Sequence, residues 1–242
     1  MNRETTNAIR TIIEDWLPPA VRDSWIFRRA AVLAWGTHID DLAAFRQRAA
    51  ELTVEEYSKL YQAHPRVHEQ TDNSNACVEQ IVRDVIASSV CDVGCGTGYL
   101  LREIGRHHGS GLNPVIGVDF MRPSQFDGSG MTFVQSPIEQ LPFADRTFDT
   151  VVCTHVIEHI LDYRLAIAEL RRITNRRLII VVPAEREAIY TFNPHFNFFP
   201  YVHSFLRAMI PLPETFEARL IGRDIYYVED RPDAKADANE RQ

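Results

Sequence analysis

The sequence predicts an α/β protein built on a doubly wound (Rossmann-like), mostly parallel sheet, with an antiparallel C-terminal strand and an N-terminal helical cap. Three observations lead there. Helical patterning fills the first 88 residues, short apolar runs alternate with helical stretches from residue 89 onward, and two strand-like runs close the chain around Gly222. Alternating strands and helices imply parallel pairing with right-handed crossovers, and nearly continuous apolarity marks strands covered on both faces.

The elements follow in order. Pro18 and Pro19 break the chain after a short first helix. A helix over 21–35 is predicted by Ala, Arg and large apolar residues without Gly or Pro, with Gly36 as its stop. A second helix covers 41–51, and Thr53 with Glu56 three residues on has the spacing of a capping box, opening a third that His64 and Pro65 end. Over 74–87, Val78, Ile81, Val82, Val85 and Ile86 recur at helical spacing, the pattern of a helix laid on a core. Strands are predicted at 89–93, 115–119, 132–135, 147–153 and 178–182, then at 216–220 and 224–229. The expected organisation is therefore a helical cap over 1–74, a sheet domain over 75–229 and a flexible tail over 230–242.

Composition sets the outer bounds. A chain of 242 residues, 45% hydrophobic and 24% charged, can bury a sizeable core, which excludes a disordered or fibrous chain. With 26 Lys and Arg against 33 Asp and Glu, the formal charge of -7 argues against general nucleic-acid binding. Arg171, Arg172, Arg176 and Arg177 read as a solvated helix end favoured by the helix dipole. The four cysteines, Cys77, Cys91, Cys95 and Cys153, lack the spacing of a zinc site or the density of a disulfide scaffold, so a cytoplasmic setting is expected. No apolar run reaches the length of a membrane span, and no signal peptide is expected. A monomer or homodimer is expected.

The most informative stretch is Val90-Cys91-Asp92-Val93-Gly94-Cys95-Gly96-Thr97-Gly98-Tyr99-Leu100: a buried strand, a glycine-rich turn and a helix start. Alternating glycines let a ligand approach the backbone, and the turn lies at the carboxyl end of the first strand, where open parallel sheets bind their ligands. Asp92 stands two residues before the first glycine, where its carboxylate can hold loop amides or accept from a ligand ammonium. Asp119 ends the next strand, and a carboxylate there can take both hydroxyls of a ribose. The dinucleotide fingerprint Gly-x-Gly-x-x-Gly fails, because counting from Gly94 its third glycine is Tyr99.

With these residues in view, the sequence resembles the class I S-adenosylmethionine-dependent methyltransferases. The resemblance runs over about 75–185, through Asp92 to Gly98, Asp119, then Ile138-Glu139-Gln140-Leu141-Pro142-Phe143 and Phe148-Asp149. It implies S-adenosylmethionine as cofactor and a small molecule as methyl acceptor. It implies that Gly94, Cys95, Gly96 and Gly98 pass under the methionine and ribose, that Asp119 binds the ribose hydroxyls, and that Phe120 lies on adenine with the Ile138 amide at its edge. Where the family usually carries an acidic residue for the adenine amino group, this chain has Pro137, with Ser136 as a substitute. Thr154, which follows the fourth strand, completes the expected cofactor set. The alternative is a non-catalytic regulator or scaffold that binds the same cofactor.

Methyl transfer from a sulfonium is an in-line displacement, so a protein supplies positioning, water exclusion and, for an oxygen or nitrogen acceptor, a base. After the fourth strand comes Cys153-Thr154-His155-Val156-Ile157-Glu158-His159-Ile160. A helix starting near His155 would put His155, Glu158 and His159 on one face. Three readings stand: polar residues holding the loop, a histidine general base, or an open divalent-metal site. By the resemblance, Tyr57, Tyr61 and His68 belong to N-terminal helices that close over the cofactor. The aromatic stretch 190–201 reads as pocket wall or satellite core, and the 21–35 helix as one that packs on the sheet domain.

Overall fold

The computed structural model describes residues 13, 16–53, 55–57, 59, 71–86, 88–123, 126, 130–190 and 193–231. Tyr61, His64, Pro65, His68 and residues 232–242 of the expected tail lie outside them. The chain forms two compact units, one of residues 1–66 with 185–200, the other of 67–184 with 201–242. The segment after the fifth strand thus groups with the N-terminal helices, whereas the sequence reading kept it in the sheet domain.

In the first unit, the stretch expected as one helix is two, α1 (Pro19–Arg22) and α2 (Trp25–Trp35). Ser24 divides them: its hydroxyl accepts from the Phe27 amide at 3.2 Å as an N-cap, and Gly36 at φ 85° ends α2. Trp25, Ile26 and Leu33 of α2 are exposed. Next comes α3 (His38–Gln47), then a 3₁₀ turn at Ala49–Glu51. Thr53 and Glu56 make the reciprocal bonds of a capping box, at 2.9 and 3.2 Å. Two arginines tie the 185–200 segment down: Arg22 donates to the Glu187 carbonyl at 2.6 Å, and Arg46 to the carbonyls of Ala188 and Ile189. Phe196 stacks beside Phe45, ring centres 5.0 Å apart, which makes this part of the aromatic stretch a satellite core.

The second unit contains α4 (Asn75–Asp84), β1 (Val90–Val93), α5 (Tyr99–His108), β2 (Val115–Asp119), β3 (Thr132–Gln135), β4 (Phe148–Thr154), α6 (Tyr163–Ile173), β5 (Thr174–Pro183), α7 (Val202–Ala208), β6 (Thr215–Ile221) and β7 (Asp224–Asp230). The seven strands lie in the order β3-β2-β1-β4-β5-β7-β6, all parallel except β7, which runs antiparallel to both neighbours. This is the doubly wound sheet with an antiparallel finish. Cys77, Val78, Ile81 and Val82 of α4 and Leu100, Leu101 and Ile104 of α5 pack with Val152, Ile179 and Val181 of the sheet. Alternation sends Val151 and Ile180 to the opposite face, where α6 lies along β4 and β5 with Ala166, Ile167, Leu170 and Ile173 buried.

β5 starts four residues earlier than the apolar run suggests. Its polar beginning is paired rather than solvated: Arg177 donates two hydrogen bonds to the Asp230 carboxylate, at 2.6 and 2.8 Å. Arg171 does the same to Glu229, and Arg172 to Glu169. Three members of the expected solvated cluster are therefore internal clasps.

Candidate active site

Strand register builds the site. Val93 pairs with Val118 on one side and Cys153 on the other, so Gly94, Asp119 and Thr154 leave three adjacent strands at one level. The strand order reverses between β1 and β4, and that reversal opens a crevice at the carboxyl edge of such a sheet.

The loop from Gly94 to Gly98 is held by its own framework. The amides of Gly94 and Cys95 both donate to the Val118 carbonyl, at 2.7 and 3.0 Å. Gly94 has φ +84°, and a Cβ added there would stand 2.1 Å from a Val156 methyl. Gly98 has φ +80° at the N-cap of α5, with its missing Cβ facing Phe126. Both glycines are thus required by the fold itself as well as by any ligand, because a side chain would be strained and would collide.

Asp119 bridges two backbones: its Oδ2 accepts from the Gly96 amide at 2.9 Å and its Oδ1 from the Met121 amide at 3.3 Å. Half exposed, it has carboxylate lone pairs to spare for a ligand hydroxyl. Asp92 is buried at the end of β1. Phe120 follows Asp119, half-buried, and its carbonyl accepts from the Gln135 amide group. In the loop after β3, Ser136 and Ile138 are buried and Pro137 is exposed. The Ser136 hydroxyl donates to the Gln140 carbonyl at 2.8 Å, so its proton serves the loop.

The turn after β4 departs from the expected helix. His155 takes a left-handed conformation, φ 54°, its amide donating to the Val181 carbonyl at 2.9 Å, and Ile157–His159 is a 3₁₀ turn. The helix begins only at Tyr163, where Asp162 caps it by accepting from the Leu165 amide. His155 and Glu158 nevertheless meet, His155 Nδ1 lying 3.4 Å from a Glu158 oxygen. Glu158 is fully buried, and His159 is half-buried. Burial works against a charged His155 ring, but the carboxylates of Glu158, Asp224 and Asp72 outweigh it and raise its pKa. Burial drives the Cys91 and Cys153 thiols well above their usual range, so neither offers a thiolate.

Three neighbours of this turn were not singled out by the sequence. Asn73 is buried and donates to the Thr154 hydroxyl at 3.0 Å. Asp224, the first residue of β7, lies 3.7 Å from His155 Nε2, and Asp72 adds its field. Asn73 precedes the helix-capping Ser74, and Asp224 follows the Gly222 turn; both positions look like ordinary turn chemistry.

Residues 91–182 match the family model described as Methyltransferase domain. The chain is 30% identical over 151 residues to the Demethylmenaquinone methyltransferase of Porphyromonas gingivalis, covering 54% of this chain and 61% of that protein. It is 27% identical over 107 residues to the Ubiquinone biosynthesis O-methyltransferase of Azorhizobium caulinodans, covering 43% of this chain and 42% of that protein. The chain thus spans less than two thirds of either relative's length. A solved protein from Pyrococcus horikoshii shares the fold at TM-score 0.52 and 19% identity, over 72% of this chain and 98% of that one. S-adenosylmethionine is the cofactor of the family, and the residues fit it: a glycine loop beside one buried and one half-exposed carboxylate, on adjacent parallel strands. The strand order 3-2-1-4-5-7-6 and these motifs thus accompany the match of residues 91–182 to a methyltransferase domain.

Proposed function

We propose that the protein transfers the methyl group of S-adenosylmethionine to a small-molecule acceptor through an oxygen or nitrogen nucleophile. The observation that carries this reading is the level at which Gly94, Asp119 and Thr154 leave adjacent strands, with a turn bearing two histidines directly behind Thr154. In this reading Gly94, Cys95, Gly96 and Gly98 offer backbone to the cofactor, and Asp119 takes the ribose hydroxyls. Asp92 faces the ammonium, Phe120 and Ile138 flank adenine, and Ser136, Pro137 and Thr154 complete the wall. The bound cofactor supplies an electrophilic methyl group. His159 accepts the acceptor's proton, because both ring nitrogens of His155 already face carboxylates, while Glu158 and His155 orient the turn. The name of one relative, Ubiquinone biosynthesis O-methyltransferase, supports an oxygen acceptor.

A thermal-shift and methyl-transfer experiment tests the reading. S-adenosylmethionine and its demethylated product should raise Tm, by about 2.7 kcal/mol of added stability at a hundredfold excess over Kd, whereas NAD should not. Radiolabel from the cofactor should then pass to hydroquinone or catechol acceptors. Tight NAD binding with no response to either sulfur compound would overturn it; cofactor binding with no transfer to any acceptor would favour a regulator or scaffold.

A further inference from the structure

The His155 ring lies between two carboxylates, within ion-pair distance of each. Its Nδ1 lies 3.4 Å from Glu158 Oε1 and its Nε2 lies 3.7 Å from Asp224 Oδ1, with all three side chains nearly buried. A neutral imidazole carries one N–H; only the doubly protonated ring presents a donor to a carboxylate at each end. The backbone of His155 is left-handed, an uncommon state for a residue with a side chain, and it persists where the surroundings over-determine it. The next residue, Val156, fills the space in front of Gly94, so the conformation of this turn decides what presses on the glycine loop.

We propose that Asp224 is a positioning residue for the cofactor-binding loop: opposite Glu158 it holds the His155 ring, and the held ring fixes the backbone that lays Val156 over Gly94. The proposal rests on the reading of Gly94 to Gly98 as the cofactor loop. The charged groups acting on the ring come from three elements: Glu158 from the turn after β4, Asp224 from β7, and Asp72 from the segment before α4. Their combined field outweighs burial and raises the ring's pKa, so the clamp opens as pH rises through that raised pKa.

The test uses the full chain with S-adenosylhomocysteine as probe, measuring its Kd by calorimetry across pH, while NMR of isotope-labelled histidine follows the ring of His155. In the wild type the ring should titrate above the ordinary histidine value, and affinity should fall with that titration. Asp224→Asn should move the ring titration and the fall in affinity together to lower pH, with several-fold weaker binding in mild alkali; Asp224→Glu should restore most of it. A wild-type ring titrating at or below the ordinary value overturns the proposal, whether or not the variants fold. So does Asp224→Asn with an unchanged binding profile, or with uniformly weaker binding and an unmoved ring, which would leave Asp224 a structural residue only. No binding by the wild type at any pH overturns the cofactor reading instead.

Discussion

Asp119 links loop and ligand chemistry in one side chain. Its carboxylate already accepts two backbone amides, so it is fixed in place before a ligand arrives, and its spare lone pairs need no rearrangement to accept hydroxyls. Asp119→Ala should therefore weaken binding of S-adenosylmethionine by about 1.5–3 kcal/mol, the scale of hydrogen bonds to a charged group, with the fold retained. Calorimetry on a variant shown by circular dichroism to be folded checks this; an unchanged Kd would place the ribose elsewhere. At this scale the sequence was most informative where chemistry is local. Asp92, the glycines and Asp119 follow strand ends that apolarity alone delimits. Asp224 could not be found that way, since its partner His155 is 69 positions away (224 minus 155) and the two meet only because β7 folds back antiparallel along β5.

Elements were legible to the extent that their burial is apolar. β2 and β3 are observed at 115–119 and 132–135 as expected, and the capping box at Thr53 forms. β5 was read short because its first residues are polar, and the turn after β4 was read as helix because His155, Glu158 and His159 have helical spacing without a helical backbone. The same blind spot hid the arginine clasps. Glu229 is 4% exposed, and it receives Arg171 at 2.9 and 2.7 Å and the Tyr227 hydroxyl at 2.6 Å. Arg171→Met strips that buried carboxylate of its counter-charge and should cost about 3–5 kcal/mol, whereas adding Glu229→Met should recover part of the loss. Urea unfolding of the single and double variants measures both, and a single variant as stable as the wild type would mean that water reaches Glu229.

For the whole molecule, the titrating clasps set the pH range over which the sheet unit is most stable. At the amino ends of the strands, burial pushes the Asp149 carboxyl up, but bonds from Asn175, Ser88 and Ser89 prevail and hold its pKa below the ordinary value. The Arg172 guanidinium does the same for Glu169. Groups depressed in the folded state contribute stability above their unfolded pKa and lose it as pH falls through the folded one, which gives the acid limb. At the carboxyl ends, His155 has a folded pKa raised above the unfolded value, so its contribution is complete below the unfolded pKa and is lost as pH rises through the folded one. The stability difference between wild type and Asp149→Asn should accordingly shrink as pH drops through the carboxylate range. That between wild type and His155→Gln should shrink as pH climbs above the ordinary histidine value. Urea midpoints across pH for the three proteins decide it: a His155→Gln difference that stays flat through that range would mean the ring is neutral in the folded protein, and that the alkaline limb arises elsewhere.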